Sequence, residues 1–520
     1  MKQLYKRLSI IVFSTIISVA FTSSYAQQSI KIPAPIDWKA VSDWKLKVEA
    51  HPDSLSYHSG YIKSIGWDGN LFILERDYKS RYDSAEVMLD NQYRIWASMF
   101  PSIPAVHYAI GSAFYEHESP KATAYLKKVL ELDAKNADAL FKLSIDAERW
   151  GNGKEASDYM KLASEADPAN PAYLFYYAVN FRRTNLDFYR EKVQELVKLF
   201  PAHERAAQGL YWLAYETKDR DSKIKIYEEL RSKFPPEKFN WSESGMNGLF
   251  DQYLFSQQFN KANDLAQSMG AKRGWSEMQV FAKSISVIQE HMDGRNYKAA
   301  YDSILKLKLA RVTSFQEKVV ILEAELADRT GNSVAGYEKL LQKHAKNPTD
   351  ELARLLKVYS GKIGKDESGV SNDLWAIRNK TKKPAYPFEL GKYTSNSILS
   401  LSDLKGKVVL ITFWFPGCGP CRAEFPHFEN VVKKYDKKKV AYLGINIFPN
   451  QDDYVLPFMK GTKYSFTPLK STSTWAEEHF GVRGAPTNFL LDKEGNIVFA
   501  NFRTDQHNER TLEIMIDSLL

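Results

Sequence analysis

The chain has 520 residues, of which 44% are hydrophobic and 26% charged, a composition typical of soluble globular proteins. The length predicts about three domains. The formal net charge of +8 is weak for this length, and no basic patch interleaved with aromatic residues stands out, so nucleic acid is excluded as the expected partner.

Residues 1–26 have the pattern of a secretory signal peptide. Basic side chains within Lys2–Arg7 precede an apolar stretch, roughly Leu8–Phe21, and Ser24-Tyr25-Ala26 ends the segment where a signal peptidase reads small residues. Removing the segment takes away three positive charges and lowers the net charge to +5. No later segment is apolar enough to span a membrane. We therefore expect an exported protein of the periplasm or cell envelope; the alternative is an uncleaved N-terminal anchor.

Residues 27–372 are predicted to be helical throughout, and internal repetition indicates which kind of helical protein they form. Ala137–Asn170 is one unit of 34 residues, and the loop segments 132–136 and 166–170 are spaced by the same period. This period is that of the tetratricopeptide (TPR) repeat, and residues 104–203 resemble that family. Small and apolar residues fall on the family's positions at Leu140, Leu143, Ala147, Ala156, Met160, Ala163 and Pro168.

Outside that window the repeats degrade, so we expect an all-α, TPR-like solenoid with a looser period toward its C-terminal end. Each repeat must bury one face against its neighbours, so most aromatic residues of the segment Tyr173–Tyr177 are expected in the core between helices. The remainder could line a groove that binds a protein partner. No acid–base or metal cluster is evident in this region.

A change of pattern marks the domain boundary. The segment Gly361–Gly369 is rich in glycine and charge, and residues 373–383 are predicted to form a linker. From residue 384 to residue 520 strands alternate with helices, which predicts an α/β domain. The strands are predicted at Phe388–Leu390, Val408–Trp414, Val440–Ile447, Thr487–Leu491 and Ile497–Phe502, and the helices at Arg422–Tyr435, Asp453–Lys460, Thr474–Phe480 and Asn508–Leu519.

The chain has only two cysteines, Cys418 and Cys421, in the segment Cys-Gly-Pro-Cys. An apolar strand leads into them and a helical pattern follows, so the pair lies at the first turn of a helix. Unpaired N–H groups and the helix dipole favour a thiolate at this position, and thiols in such motifs have a pKa of roughly 3.5–7.5. We expect Cys418 to be the exposed nucleophile and Cys421 to resolve the mixed disulfide.

Two structural alternatives to redox chemistry are weak. A structural disulfide stabilises mainly by closing a long loop, and a two-residue gap closes almost none. Tetrahedral zinc needs four ligands, whereas this chain has no second cysteine pair and His427 is the nearest histidine. We expect neither a metal nor a cofactor beyond the redox-active disulfide.

Residues 384–520 resemble the thioredoxin fold and, within it, the exported TlpA/ResA-like thiol–disulfide oxidoreductases. The resemblance rests on several segments in order: Ser402–Lys407 before an apolar strand, Cys418-Gly419-Pro420-Cys421, Glu424-Phe425-Pro426, and Gly484-Ala485-Pro486-Thr487. It implies that Gly419 and Pro420 belong to the active-site motif. It also implies that Pro486 follows a cis peptide bond and faces the cysteines.

Two residues depart from the pattern of these families. Gly417 stands where the oxidoreductases usually have tryptophan, and Thr412 stands where thioredoxins have a buried aspartate. Threonine cannot act as a base, so proton transfer must fall to another group. The resemblance carries over a glutamate at Glu424, three residues after Cys421 and on the same helical face. A carboxyl group partly buried there would have a raised pKa and could take the proton of Cys421; the alternative is a solvent-exposed helix glutamate.

The sequence therefore predicts a TPR-like solenoid followed by a thioredoxin-like domain that exchanges disulfides with protein substrates. The Gly-Pro pair between the cysteines favours a reducing protein, which in an oxidising compartment needs electrons from a membrane thiol-reductant conduit. The rival hypothesis is a non-enzymatic binding scaffold whose thioredoxin-like domain is a redox sensor or a tether. A peroxidase is disfavoured because Phe415 stands where peroxiredoxins have threonine.

Overall fold

A computed structural model describes residues 36–67, 71–270, 272–310 and 313–520, with the backbone alone for 71–82. The predicted signal peptide lies outside the described residues. The N-terminal region is all-α, as predicted. Its helices are α1 (Trp38–Ala50), α2 (Leu55–Ser64), α3 (Leu71–Met99), α4 (Pro104–Glu116), α5 (Ala122–Leu132), α6 (Ala137–Arg149), α7 (Gly153–Ala166), α8 (Pro171–Val179), α9 (Leu186–Leu199), α10 (Glu204–Glu216), α11 (Arg220–Lys233), α12 (Asn240–Phe255), α13 (Phe259–Met269), α14 (Trp275–Asp293), α15 (Tyr297–Ile304), α16 (Gln316–Arg329), α17 (Ser333–Lys346), α18 (Asp350–Lys362) and α19 (Glu367–Arg378).

Helix α1 packs against α2, α2 packs against α4, and from α3 to α19 each helix packs against the next, as a solenoid of helix pairs requires. The loop segments that mark the 34-residue period end in equivalent helix caps. The Asn136 side chain accepts a hydrogen bond from the Ala139 N–H at 3.1 Å, and the Asn170 side chain accepts one from the Ala172 N–H at 3.0 Å. Such caps satisfy backbone donors that a helix start leaves unpaired, so an asparagine at the N-cap position precedes both α6 and α8.

The predicted burial of the aromatic segment is confirmed for Tyr173 and Phe175, which are buried, while Tyr176 is half-buried. The buried apolar residues of the helical region form separate clusters, of which the first covers α1–α6, the largest α8–α16 and another α16–α19. Assignment of these pairs to the TPR family stays a prediction. None of the described helices combines the length and apolar character needed to cross a membrane.

The C-terminal region is an α/β domain, as predicted. Its strands are β1 (Lys383–Pro384), β2 (Glu389–Gly391), β3 (Ile398–Ser400), β4 (Val408–Trp414), β5 (Val440–Asn446), β6 (Thr467–Lys470), β7 (Thr487–Leu491) and β8 (Asn496–Ala500), and its α-helices are α20 (Gly419–Val432), α21 (Asp452–Thr462), α22 (Ser473–Phe480) and α23 (Glu509–Asp517). Six strands form one sheet in the order β1-β8-β7-β4-β5-β6, in which β4, β5 and β6 are parallel and β7 runs antiparallel to β4. Strands β2 and β3 pair separately.

Strand β4 lies at the centre of this sheet and is buried along its whole length. Successive side chains alternate between the two faces. Val408, Leu410 and Trp414 pack with α20 and α23, whereas Ile411 and Phe413 pack into the cluster on the α22 side. A strand covered on both faces reads as an unbroken apolar run, which explains why the sequence located β4 at its observed bounds.

Several element bounds differ from the sequence predictions. Helix α20 begins at Gly419 instead of Arg422, because Pro420 is compatible with the first turn of a helix. Strands β1, β3 and β6 were not predicted, since each has four residues or fewer and shows no alternation long enough to read. Residues 373–378 of the predicted linker belong to α19. The predicted domain boundaries stay predictions.

The helical region and the α/β domain contact each other through polar pairs and a close backbone approach. The Tyr454 hydroxyl of α21 donates a hydrogen bond of 2.6 Å to the fully buried Asp146 carboxylate of α6. Arg510 of α23 makes a bidentate ion pair with Asp350 of α18. Elsewhere, Tyr215 donates to Asp505, Gln506 donates to Glu216, and Gly151 lies against the backbone of Phe458 and Gly461.

Candidate functional site

The cysteine pair lies where the central strand passes into a helix, as predicted. Strand β4 ends at Trp414, and Cys418 is the N-cap residue of α20, so the Cys418 Sγ accepts a hydrogen bond from the Cys421 N–H at 3.2 Å. The cysteines are joined as a disulfide, with their Cα atoms 5.3 Å apart. The N–H groups and the dipole of the helix start therefore point at Cys418, where they would stabilise a thiolate after reduction.

The expectation that Cys418 is exposed is wrong for this disulfide form. Its exposed fraction is 4%, and Cys421 is fully buried. Both residues belong to an apolar cluster that includes Trp414 and Phe425, whose ring centroids are 5.2 Å apart. The sequence could not predict this burial, because the helical region also packs around the loop before Cys418.

Polar contacts from outside the motif fix the loop between β4 and α20. The Gly417 N–H donates to the Gln451 side chain at 2.6 Å, and the Gln451 amide in turn donates to Glu118, which follows α4 in the helical region. Glu118 also pairs with Arg149 at 3.3 Å. Because Glu118 precedes Gln451 by 333 residues, no local sequence pattern could have placed it here.

The departure at Gly417 has a physical reason in this arrangement. A Cβ atom built at Gly417 would lie 2.7 Å from the Glu118 Cδ and 3.0 Å from the Gln451 Nε2. Carbon atoms in contact are ordinarily about 3.5–4.0 Å apart. Glu118 of the helical region and Gln451 thus fill the space that a side chain at position 417 would need, and a tryptophan could enter it only if these two side chains moved.

Arg422, in the first turn of α20, links the motif to the helical region a second time. Its guanidinium donates to the Pro416 carbonyl at 2.7 Å and pairs with Glu148 of α6 at 2.8 Å. The arginine side chain is mostly buried, with 17% of its surface exposed, whereas its partner Glu148 is 38% exposed. Arg422 therefore bridges the loop before Cys418 and helix α6.

Glu424 is buried on the inner face of α20, as the carboxyl hypothesis required. Its exposed fraction is 7%. Burial raises the pKa of the Glu424 carboxyl, and hydrogen bonds from the Asn488 side chain and the Thr504 N–H, together with the nearby Arg503 charge, offset part of that rise. The Asn488 Nδ2 lies 3.0 Å and the Thr504 N 3.1 Å from the carboxylate. The role of Glu424 as proton acceptor stays a prediction.

Sequence reasoning missed the residues that hold Glu424. Asn488 lies on β7, directly opposite Thr412 of β4, and both are fully buried. Among the described residues, the Thr412 Oγ1 and the Asn488 Oδ1 have no hydrogen-bond partner. A buried asparagine in an apolar strand, two residues after Pro486, was the available signal, because a buried amide is normally retained to bond another polar group.

The peptide bond between Ala485 and Pro486 is cis, as the resemblance predicts. Ala485 packs against the apolar cluster that contains both cysteines. Strand β7 begins directly after, at Thr487, and pairs with β4. The motif segment before β7 and the cysteine motif after β4 therefore approach each other from adjacent strands.

A thioredoxin-like sheet with a disulfide at the start of the helix after its central strand defines the class of thioredoxin-fold thiol–disulfide proteins. Residues 380–516 match the Redoxin family. The chain is 33% identical over 105 residues to the thiol-disulfide oxidoreductase ResA of Bacillus subtilis, over 20% of this chain and 58% of that protein. It is 30% identical over 118 residues to ResA of Bacillus thuringiensis, over 21% of this chain and 68% of the relative.

Through this domain the chain belongs to the family of ResA-like thiol–disulfide oxidoreductases. Among solved structures, the thioredoxin domain of a thiol-disulfide oxidoreductase from Bacteroides vulgatus is 25% identical and covers 26% of this chain and 96% of its own, with a TM-score of 0.24. The chain spans little more than half of the B. subtilis relative. Most of the present chain, including the helical region, lies outside the matched segment.

Proposed function

We propose that the protein is an exported thiol–disulfide oxidoreductase that reduces disulfides of protein substrates, with the helical region binding the partner. The observation that carries the proposal is the Cys418–Cys421 disulfide at the N-terminus of α20, three residues before the buried Glu424. The names of the ResA relatives support the reaction class. The reaction needs no metal or other cofactor, because the cysteine pair itself holds the two electrons.

The reaction begins from the reduced dithiol. The Cys418 thiolate attacks one sulfur of the substrate disulfide, the substrate S–S bond breaks, and one substrate thiolate leaves as a mixed disulfide forms. The Cys421 thiolate then attacks the Cys418 sulfur, which restores the Cys418–Cys421 disulfide and releases the second substrate thiol. Two electrons and two protons pass to the substrate.

Glu424 takes the proton of Cys421 in this proposal. The raised pKa of the buried carboxyl supports the assignment, because a carboxylate with a higher pKa is a stronger base and accepts a proton more readily. Gly419 and Pro420 set the turn between the cysteines. The segment around Pro486 is assigned to the docking of an extended substrate backbone.

The proposal also includes the direction of electron flow and the location of the protein in the cell. The Gly-Pro pair favours a reduction potential nearer about −270 mV than about −120 mV. A protein exported by its N-terminal segment into an oxidising compartment then needs a membrane thiol-reductant conduit to regenerate the dithiol. Intact-mass analysis of the exported protein tests the location: a mature N-terminus at Gln27 supports cleavage, and one at Met1 contradicts it.

One observation favours a second candidate function, a redox sensor or tether on a helical scaffold. Cys418 has only 4% of its surface exposed in the disulfide form, and Glu118 and Arg422 hold the loop before it against the helical region. A sensor would change its domain contacts with redox state but would turn over slowly. The two functions differ in whether a protein disulfide is reduced catalytically.

Turnover of insulin disulfides by the full chain, with dithiothreitol as the reductant that regenerates the dithiol, tests the proposal. We expect the wild-type chain to accelerate reduction well above dithiothreitol alone, and Cys418→Ser to abolish the acceleration. Cys421→Ala should instead accumulate mixed disulfides, which can be trapped from the native compartment. A wild-type chain no faster than Cys418→Ser would reject catalysis and favour the sensor.

A further inference from the structure

A cleft of about 570 Å³ lies between the helical region and the active-site helix. One wall is formed by the start of α20, including Gly419 and Ala423, and the opposite wall by the turn that ends α8. Gly419 directly follows Cys418 and is exposed, and a Cβ built on it would meet no atom within 4 Å. The cleft is therefore open to a bound molecule at Gly419, the residue that follows Cys418, although neither cysteine lines it.

Three arginines line this arginine cleft, namely Arg182, Arg183 and Arg422. Arg422 is paired with Glu148 at 2.8 Å, and Arg182 is paired with Glu216 at 2.8 Å. These two pairs neutralise two of the three positive charges.

Arg183 carries the remaining charge. Its guanidinium donates to the Ala423 carbonyl at 3.3 Å, and no carboxylate among the described residues lies within 4 Å of it. Burial, with the neighbouring Arg183 charge as a smaller cause, lowers the pKa of Arg182. A bound anion would offset the repulsion between the Arg182 and Arg183 charges. The planar guanidinium of Arg183 can bind a carboxylate through two hydrogen bonds.

We infer that the arginine cleft binds an acidic side chain of the protein substrate, close in sequence to the cysteine whose disulfide is reduced. The inference rests on the proposed function, because the cleft gains this role from its place beside Cys418. The cleft is of a size that holds a side chain and adjoining backbone. Aspartate or glutamate near the substrate cysteine would reach Arg183 while the disulfide approaches Gly419, and the helical region would thereby contribute to substrate choice.

Short synthetic peptides, each closed by one disulfide, test the inference with the full chain and dithiothreitol. One peptide set carries glutamate at each position within three residues of the cysteines, and a matched set carries glutamine. We expect kcat/KM to be roughly threefold to tenfold higher for at least one glutamate peptide than for its glutamine partner, as for a partly exposed ion pair. The preference should shrink in about 1 M salt.

Arg183→Gln should bring this glutamate-to-glutamine ratio close to one, and Arg183→Lys should restore part of it. Arg190→Gln is the matched control, since Arg190 is an exposed arginine of α9 outside the cleft, and it should keep the wild-type ratio. Free glutamate is added as a competitor. Inhibition of the reduction of the glutamate peptide, but not of the glutamine peptide, supports binding of a carboxylate in the cleft.

Equal kcat/KM values for every peptide pair, or an unchanged ratio in Arg183→Gln, would overturn the inference while leaving the proposed function intact. If the wild-type chain reduces neither peptide set, the proposed function fails and the role of the cleft fails with it. These outcomes are distinguishable because turnover of the glutamine peptides reports on the reaction, whereas the ratio reports on the cleft.

Discussion

Substitution of Gly461 by alanine should separate the two regions of the protein, although it should strengthen the helix that carries it. Gly461 is the penultimate residue of α21, and a Cβ there would lie 2.9 Å from the Gly151 carbonyl carbon and closer still to its oxygen. Those atoms are backbone and cannot rotate away. Compared with an ordinary contact of about 3.5 Å, the regions must part by roughly 0.6 Å or more.

The magnitude follows from two opposing effects. Replacing glycine by alanine in a helix favours the helix by up to about 1 kcal/mol. Overpacking of this kind costs about 1–3 kcal/mol, and here the cost falls on the contact between the regions. The equilibrium for opening that contact should therefore rise about 5- to 150-fold.

Hydrogen exchange measured by mass spectrometry on the full chain detects this opening. Amides of α21, α6 and α7 near the contact should exchange faster in Gly461→Ala, while β4 should be unchanged. Gly361→Ala is the matched control: Gly361 is also exposed and penultimate in its helix, α18, and its Cβ would meet nothing within 4 Å. Faster exchange in the control, or none in Gly461→Ala, would refute the reasoning.

Three further substitutions test the site and its surroundings. Because burial raises the pKa of the Glu424 carboxyl, ionising it costs stability as the pH rises through that pKa. Glu424→Gln should therefore gain in thermal midpoint relative to wild type as the pH rises above about 4; a constant difference would contradict this. Gly417→Ala should displace the Glu118 side chain without adding an aromatic cover, and so increase alkylation of reduced Cys418; unchanged labelling would argue against it. Tyr454→Phe removes a hydrogen bond to a buried carboxylate and should cost about 1.5–3 kcal/mol, measured by denaturation.

The sequence predicted most where the physical signal is local. Strands β4 and β7 were located at their observed bounds, since each is a short apolar run between clear turn residues. The position of Cys418 and Cys421 at a helix start followed from their spacing and from the patterns on either side. The burial of Glu424 was expected from its helical spacing to Cys421 and from the family resemblance.

The residues that surround the site could not be predicted from local patterns, because they come from distant parts of the chain. Gln451 contacts the loop from the segment between β5 and α21, and Glu118 and Glu148 of the helical region reach it through Gln451 and Arg422. Contacts of this kind depend on how the two regions pack. The spacing of apolar residues, whether of a helix or of a strand, does not encode that packing. The same cause explains why the expected exposure of Cys418 was wrong.

Gly417 links the packing of the helical region to the redox motif. In a free-standing thioredoxin-like domain, an aromatic residue before the first cysteine would cover the site. Here Glu118 and Gln451 occupy that space: Gln451 accepts a hydrogen bond from the Gly417 N–H and donates one to Glu118, so the helical region, through Glu118, provides part of the cover instead. A cover supplied by a separate region can move without disturbing the sheet. We therefore expect access to Cys418 to depend on the contact between the two regions, to which the close approach of Gly461 and Gly151 also belongs.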